Sequence, residues 1–141
     1  MYIEQFGGIR AISSTESLAS AAVIARFLAM KQISVKQIAF VVATATVSSG
    51  NIVVTVKRRP TVGSTSGEVT IGTLTIPTAI AAGKMYYKNV TPVVVAQGEE
   101  VIFEVTTAAA GMGAAGAGYS SLGVEHDPEQ PANNSDMVAS A

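Results

Sequence analysis

The chain contains no cysteine and no tryptophan, and only 13% of its 141 residues are charged. The lack of cysteine excludes a disulfide scaffold, a thiolate metal site and a cysteine nucleophile. A formal net charge of −1 leaves no basic excess of the kind that nucleic-acid-binding proteins show. We therefore expect no nucleic-acid partner.

Long apolar runs are absent as well. The run Ile38–Val47 is only ten residues long, and the stretch Leu18–Met30 is interrupted by Arg26. A membrane-spanning helix needs about 20 apolar residues, so no membrane partner is expected. The segment Met1–Glu4 has neither the basic nor the apolar region of a secretory signal, which predicts a protein made in a cytoplasm-like compartment.

Apolar residues are abundant instead. They make up 48% of the chain, and the mean hydropathy is +0.39. A single domain of this length exposes a large surface, and few charges are available to keep copies of the chain apart. Much of the surface is therefore expected to be covered by other protein.

The spacing of turn residues predicts the fold class. Runs rich in β-branched residues alternate with turn signals every 8 to 12 residues or so, without helical crossovers between them. This pattern predicts an all-β, antiparallel β-sandwich of the jelly-roll type. The predicted strands are 33–35, 38–47, 52–57, 68–76, 84–88, 92–95, 100–106 and 118–125.

The predicted domain organisation has three parts. Residues 17–126 form the sandwich, and residues 1–16 form an N-terminal arm. Residues 127–141 are polar, with three acidic and no basic residues, and are assigned to a C-terminal tail.

Two local interpretations depend on the rest of the chain. Residues 17–30 fit both a helix period and a strand period, and the strand is favoured because everything downstream is strand-like. The residues Ser48–Asn51 are typical of a turn, and they predict a long hairpin between 38–47 and 52–56.

One glycine-rich motif suggests a dinucleotide site. The segment Gly111–Gly116 matches the pattern G-x-G-x-x-G. The 25 residues after it contain Gly118, Gly123, Pro128 and Pro131, so neither the required helix nor a second parallel strand can follow. The motif is interpreted as a loop, and no cofactor is expected.

The acidic residues suggest no enzyme either. Glu125, His126, Asp127 and Glu129 could together attract a divalent cation, but they run into Pro128 and are interpreted as a solvated strand end. Glu99 and Glu100 are adjacent, so the pleat points them to opposite sides. A serine nucleophile with the required spacing is also missing. We therefore expect no catalytic activity and no metal site.

Two short motifs are candidates for partner contacts. The cluster Lys57, Arg58 and Arg59 is the only tight basic group, and it suits a solvated edge, an acidic protein surface or, less well, phosphates. Tyr86 and Tyr87 lie on one strand, so one ring should face the core and the other the outside. Tyrosine is common at interfaces, although core and edge packing is the simpler explanation.

Four segments resemble a known family. They are Val54–Thr61, Ile71–Pro77, Gly83–Tyr87 and Gly98–Thr106. Together they are similar to the small β-sandwich proteins called capsid cement or head decoration proteins in tailed bacteriophages. The resemblance covers roughly residues 20 to 125 and rests on strand patterns rather than on catalytic motifs.

The resemblance implies a structural role. Such a protein is made in the bacterial cytoplasm and binds the outer surface of the head. Its partners are the major capsid protein and itself, as a trimer or alternatively a dimer. Charge reversal of Arg58 and Arg59 is then expected to weaken capsid retention and leave the fold intact. The alternatives are a carbohydrate-binding module of a fibre or tail, which the low aromatic content disfavours, and a self-assembling tube or shell subunit.

Overall fold

The computed structural model describes residues 3–5, 16–110 and 116–125. These residues form eleven strands and no helix. The strands are β1 (Ile3–Gln5), β2 (Glu16–Ser17), β3 (Val23–Leu28), β4 (Ile33–Thr44), β5 (Thr46–Val47), β6 (Ile52–Arg59), β7 (Val69–Ile76), β8 (Ala79–Ile80), β9 (Met85–Val95), β10 (Glu100–Thr107) and β11 (Ala117–Glu125).

Nine of these strands build two antiparallel sheets, and β5 and β8 pair with each other as a short third sheet. The first sheet has the order β1-β11-β4-β9, with β2 also paired to β11, and the second has the order β3-β10-β6-β7. Strands that follow one another along the chain mostly lie in different sheets, while β1 and β2 at one end of the chain pair with β11 at the other. This is the strand order of a jelly roll. The predicted fold class is confirmed.

The hydrophobic core lies between the two sheets. Alternate residues supply it, as the two-residue period of a strand requires. Phe40 of β4 and Phe103 of β10 are fully buried, and the Phe103 ring meets Phe27 edge to face with 5.6 Å between the ring centroids. Most other core side chains are valine and isoleucine, which suit a pleated surface because of their branched Cβ atoms.

The ambiguous residues 17–30 contain a strand. Ala25 and Phe27 of β3 are buried in the core, whereas Arg26 and Leu28 between and after them are exposed. The period is therefore two residues, and the strand prediction is confirmed.

The predicted hairpin between 38–47 and 52–56 is wrong. β4 pairs with β9 and β11 in the first sheet, whereas β6 pairs with β7 and β10 in the second. Between them β5 pairs with β8, and the Ser49 amide donates a 2.6 Å hydrogen bond to the Ala110 carbonyl. The turn carries the chain from one sheet to the other. A local turn signal specifies a change of direction but not the next partner strand.

The two strands predicted at 84–88 and 92–95 are one strand. Asn89 does not break β9, although the ladder with β4 shifts register at this point. Pro92 is tolerated because β9 is an edge strand among the described residues, so a missing N–H need not remove a ladder hydrogen bond.

Part of the predicted N-terminal arm belongs to the first sheet. Besides the pairing of β1 and β2 with β11, the buried Glu16 carboxylate accepts hydrogen bonds from the amide of Ser120, at 2.8 Å, and from its hydroxyl. At Gly118 a Cβ atom would overlap the carbonyl oxygen of Val41, so only glycine allows β11 to approach β4 this closely. The rest of the arm and the tail 127–141 lie outside the described residues.

Candidate protein interaction surface

The outer face of the first sheet has a block of nine positions without a charged residue. The register aligns three residues of β4 with three of β11 on one side and three of β9 on the other. In rows across the sheet these residues are Gly123, Gln37, Asn89; Ser121, Ala39, Tyr87; and Tyr119, Val41, Met85. The residues between them on β4, Ile38 and Phe40, belong to the core. We call this block the tyrosine face.

Several side chains of the tyrosine face are open to solvent among the described residues. Met85 is 54% exposed and Tyr87 is 58% exposed, although both are large. Gln37 Nε2 donates a 3.1 Å hydrogen bond to Asn89 Oδ1, so these two amides partly satisfy each other. The centres of protein interfaces are enriched in tyrosine and methionine and depleted of charge. The tyrosine face therefore has the composition of a surface that another protein covers.

The two tyrosines predicted as partner contacts lie on opposite sides of β9. Tyr86 is half-buried and packs against the core, whereas Tyr87 points outward onto the tyrosine face. The alternation expected from the pleat is therefore observed. Met85 and Tyr119 were not identified from the sequence, because their place beside Tyr87 and Val41 depends on which strands are neighbours.

The basic residues Lys57, Arg58 and Arg59 do not form one exposed cluster. The pleat puts Lys57 and Arg59 on the outer face of the second sheet and Arg58 on the other side. The Arg58 Nη1 atom donates a 3.3 Å hydrogen bond to the Val94 carbonyl of the first sheet. Arg59 is 5% exposed, so an accessible partner contact at this side chain is not supported by its position.

Arg59 lies beside a buried carboxylate. Glu100 is 2% exposed, and its Oε1 atom accepts hydrogen bonds from Arg26 Nη1 at 3.0 Å and from the Gly63 amide at 2.9 Å. Arg59 Nη1 is 3.8 Å from the same oxygen. Glu100 therefore joins two strands to the loop between β6 and β7.

Two further carboxylates, those of Glu68 and Glu104, extend this group across the sheet. Lys57 Nζ donates to Glu104 Oε2 at 2.8 Å and to Glu68 Oε1 at 3.1 Å. Glu68 Oε2 also accepts a 3.1 Å hydrogen bond from Arg59 Nε. We call the six charged side chains the charge network: Arg26, Lys57, Arg59, Glu68, Glu100 and Glu104. Its charges are balanced, three positive and three negative, and largely satisfied within the chain.

Hydrogen bonding shifts two pKa values in the charge network. Hydrogen bonds to Glu104 and then Glu68 raise the pKa of Lys57 above its ordinary value of 10.5. Hydrogen bonds from Lys57 and then Arg59 lower the pKa of Glu68 below 4.5. Both shifts favour the charged forms, so these two groups keep their charges throughout the neutral range.

These shifts predict how stability depends on pH. The contribution of Glu68 is present above pH 4.5 and is lost as the pH falls through its lowered folded-state pKa. The contribution of Lys57 is present below pH 10.5 and is lost as the pH rises through its raised folded-state pKa. In urea unfolding measured against pH, Glu68→Gln should flatten the acid limb and Lys57→Met the alkaline limb. As a control, the variant Lys31→Met, at an exposed lysine, should change neither limb. If Glu68→Gln left the acid limb unchanged, the hydrogen bonds of Glu68 would not be the source of this pH dependence.

The described residues contain no metal centre. Within 16–110 and 116–125, no group of three or more histidine or acidic side chains is placed to hold a metal ion. Glu125 forms an ion pair with Lys36, while His126, Asp127 and Glu129 lie outside the described part of the chain. Most of the glycine motif, residues 111–115, also lies outside it.

The pair Glu99 and Glu100 follows the prediction from the pleat. Glu99 Oε1 accepts a 2.7 Å hydrogen bond from the Ala96 amide and lies 3.8 Å from Arg58 Nε, whereas Glu100 joins the charge network on the opposite side. The two carboxylates therefore do not form an acid–base pair.

The described segments also include no helix with the length and apolar character needed to cross a membrane.

The fold and this surface place the chain in the class of jelly-roll β-sandwich proteins. No protein-family model matches the sequence, and no curated protein matches it. Among solved structures, one chain in "Structure of infectious bursal disease virus Gt strain" superposes with a TM-score of 0.37 at 15% identity. The match covers 87% of this chain and 32% of that chain, so the present chain spans about a third of that protein's length. A likeness of this degree identifies no family.

Proposed function

We propose that the chain is a non-enzymatic structural protein of a virus particle. In its specific form, the proposal is a capsid cement or decoration protein that binds the outer surface of a tailed-phage head and stabilises contacts between major capsid subunits. The observation that carries the proposal is the uncharged tyrosine face with Met85 and Tyr87 exposed. The jelly roll is compatible with this role, since viral capsid domains and lectins both use it.

The distribution of charge supports a protein partner over other partners. In the part of the chain that the structure describes, five basic side chains form ion pairs: Arg26, Lys36, Lys57, Arg58 and Arg59. Among the described residues, this leaves Lys31, Lys84 and Lys88 as the basic side chains without an ion pair, and three separate lysines give a phosphate backbone little to bind. The tyrosine face has no charge to desolvate, so its burial against another subunit is favourable.

The mechanism of such a protein is preferential binding to the assembled shell. A cement protein that binds the assembled lattice better than dispersed coat subunits stabilises the shell by the difference in binding free energy. An ordinary interface buries about 800 Å² on each partner, and several such contacts reinforce each other by avidity. No covalent bond is needed.

The test compares binding to virus particles with matched variants. The purified chain is mixed with purified heads of tailed phages, and bound protein is separated from free protein by sucrose-gradient sedimentation. We expect the native chain to co-sediment and Tyr87→Glu to bind at least about tenfold more weakly, because it places a charge on the otherwise uncharged tyrosine face. Thr75→Glu, an exposed position on the second sheet, should bind like the native chain.

The alternatives predict different results in the same preparation. In size-exclusion chromatography with light scattering, a cement protein should stop at a small closed oligomer, with a trimer expected first. Open-ended polymers would favour a self-assembling tube or shell subunit instead. A monomer that does not bind heads but binds glycans would favour a carbohydrate-binding module.

A further inference from the structure

The strand β9 leaves one side open at the edge of the first sheet. Among the described strands its one hydrogen-bonded neighbour is β4. The segment Met85–Asn89 precedes the register shift and forms a regular ladder with β4. An open edge of this kind presents unpaired N–H and C=O groups that can pair with an added strand.

The side chains along this edge alternate in character. Met85 and Tyr87 point to the tyrosine face, whereas Lys84 and Lys88 are exposed on the side of Tyr86. Neither lysine forms an ion pair with another described residue. Residues 84–95 contain no acidic side chain to balance them.

These charges disfavour one obvious occupant, the β9 edge of a second copy. Pairing two β9 edges would bring four lysines together from Lys84 and Lys88 without a compensating acid. Like charges on adjacent strands are destabilising, and lysine on an edge strand is a common means of preventing such self-pairing. The same two lysines favour a strand of opposite charge.

We propose that the β9 edge binds an extended strand of a partner protein in which acidic residues alternate with apolar ones. The acidic side chains would lie next to Lys84 and Lys88, and the apolar ones next to Met85 and Tyr87, because successive residues of a strand point to opposite faces. The proposal refines the protein-binding role given above and rests on it. Peptide binding is nevertheless measured without virus particles, so the two proposals can fail separately.

The test is a titration of the isotope-labelled full chain followed by NMR of its backbone amides. One ten-residue peptide alternates valine or tyrosine with aspartate or glutamate, and the control peptide carries lysine or arginine in place of the acids. We expect the acidic peptide to shift the amides of Met85–Asn89 and to bind about tenfold more tightly than the basic one. The double variant Lys84→Glu/Lys88→Glu should reverse this preference, whereas Lys31→Glu, at an exposed lysine outside β9, should preserve it.

Three results would overturn the proposal. The two peptides could bind equally, which would show that the lysines do not select the strand. The shifted amides could map outside β9. In the third case, every amide of Met85–Asn89, including those that point away from β4, would already be protected from hydrogen exchange in the chain alone, because something other than β4 pairs with this edge.

Discussion

Replacing Arg59 by glutamate is expected to lower the free energy of unfolding by about 3–5 kcal/mol. The side chain of Arg59 is 6% exposed and lies between Glu68 and Glu100, so the variant would place three carboxylates together without their shared cation. Removing one member of a buried ion pair is costly because the remaining charge has lost both its partner and its water. Urea unfolding followed by circular dichroism measures the change.

Arg58→Glu is the matched control for this prediction. The side chain of Arg58 is 29% exposed, and its Nε atom is 3.8 Å from the nearest carboxylate oxygen, on Glu99. We expect a smaller loss than for Arg59→Glu, about 1–2 kcal/mol, because Arg58 is partly exposed and its contact with a carboxylate is longer. Because Arg59 is buried beside two carboxylates, reversing the charges of both Arg58 and Arg59 should destabilise the fold, contrary to the expectation from the sequence. Equal losses in the two variants would show that the burial of Arg59 between Glu68 and Glu100 adds nothing to its contribution to stability.

Truncating Phe103 to alanine should lower the free energy of unfolding by a similar amount, about 3–5 kcal/mol. Phe103 is fully buried on β10 and meets the ring of Phe27 edge to face, so the variant leaves a cavity between the sheets and removes an aromatic contact. The same urea experiment should show a lower midpoint with an unchanged slope, because the surface exposed on unfolding hardly changes.

Tyr87→Ala provides the comparison for Phe103→Ala. It removes an aromatic ring of similar size from a 58% exposed position, and we expect a change within about 0.5 kcal/mol. A clear loss of partner binding without a loss of stability would identify Tyr87 as an interface residue. If Phe103→Ala lost less than Tyr87→Ala, the assignment of core and surface would be wrong.

The two outer faces of the sandwich differ in kind. The second sheet carries the charge network, whose members satisfy one another within the chain, while the first sheet carries the uncharged tyrosine face. Ile102 lies on the outer face of the second sheet, opposite both Arg26 and Lys57, and is fully buried although it is outside the core cluster between the sheets. The aliphatic stems of long basic side chains can cover apolar surface in this way. The first sheet is therefore the better candidate for a partner surface.

The positions of most strands could be predicted from the sequence. Strands near 100–106 and 118–125 were expected and occur as β10 and β11, because β-branched alternation and turn residues are local signals. The partner of each strand could not be predicted in the same way: only the two-residue β5 separates β4 from β6 along the chain, yet β4 and β6 lie in different sheets. Pairing depends on contacts between distant residues, which local propensity does not encode.

In the candidate site, too, local features could be predicted from the sequence and contacts between distant residues could not. The pleat alone predicted that Tyr86 and Tyr87 would point to opposite sides and that Glu99 and Glu100 would separate. It could not predict that Arg59 would be buried, because its partners Glu68 and Glu100 come from two other segments of the chain.

The amino-acid sequence by itself determined the β class, the alternation of inner and outer residues and the scarcity of charge. These properties follow from composition and from a two-residue period, which act within a few residues. The tertiary structure alone decided which alternate residues meet across strands, and so assembled the tyrosine face from β4, β9 and β11 and the charge network from β3, β6, β10 and Glu68. Strand order arises from packing two sheets around one core, and that choice is made by the whole chain at once.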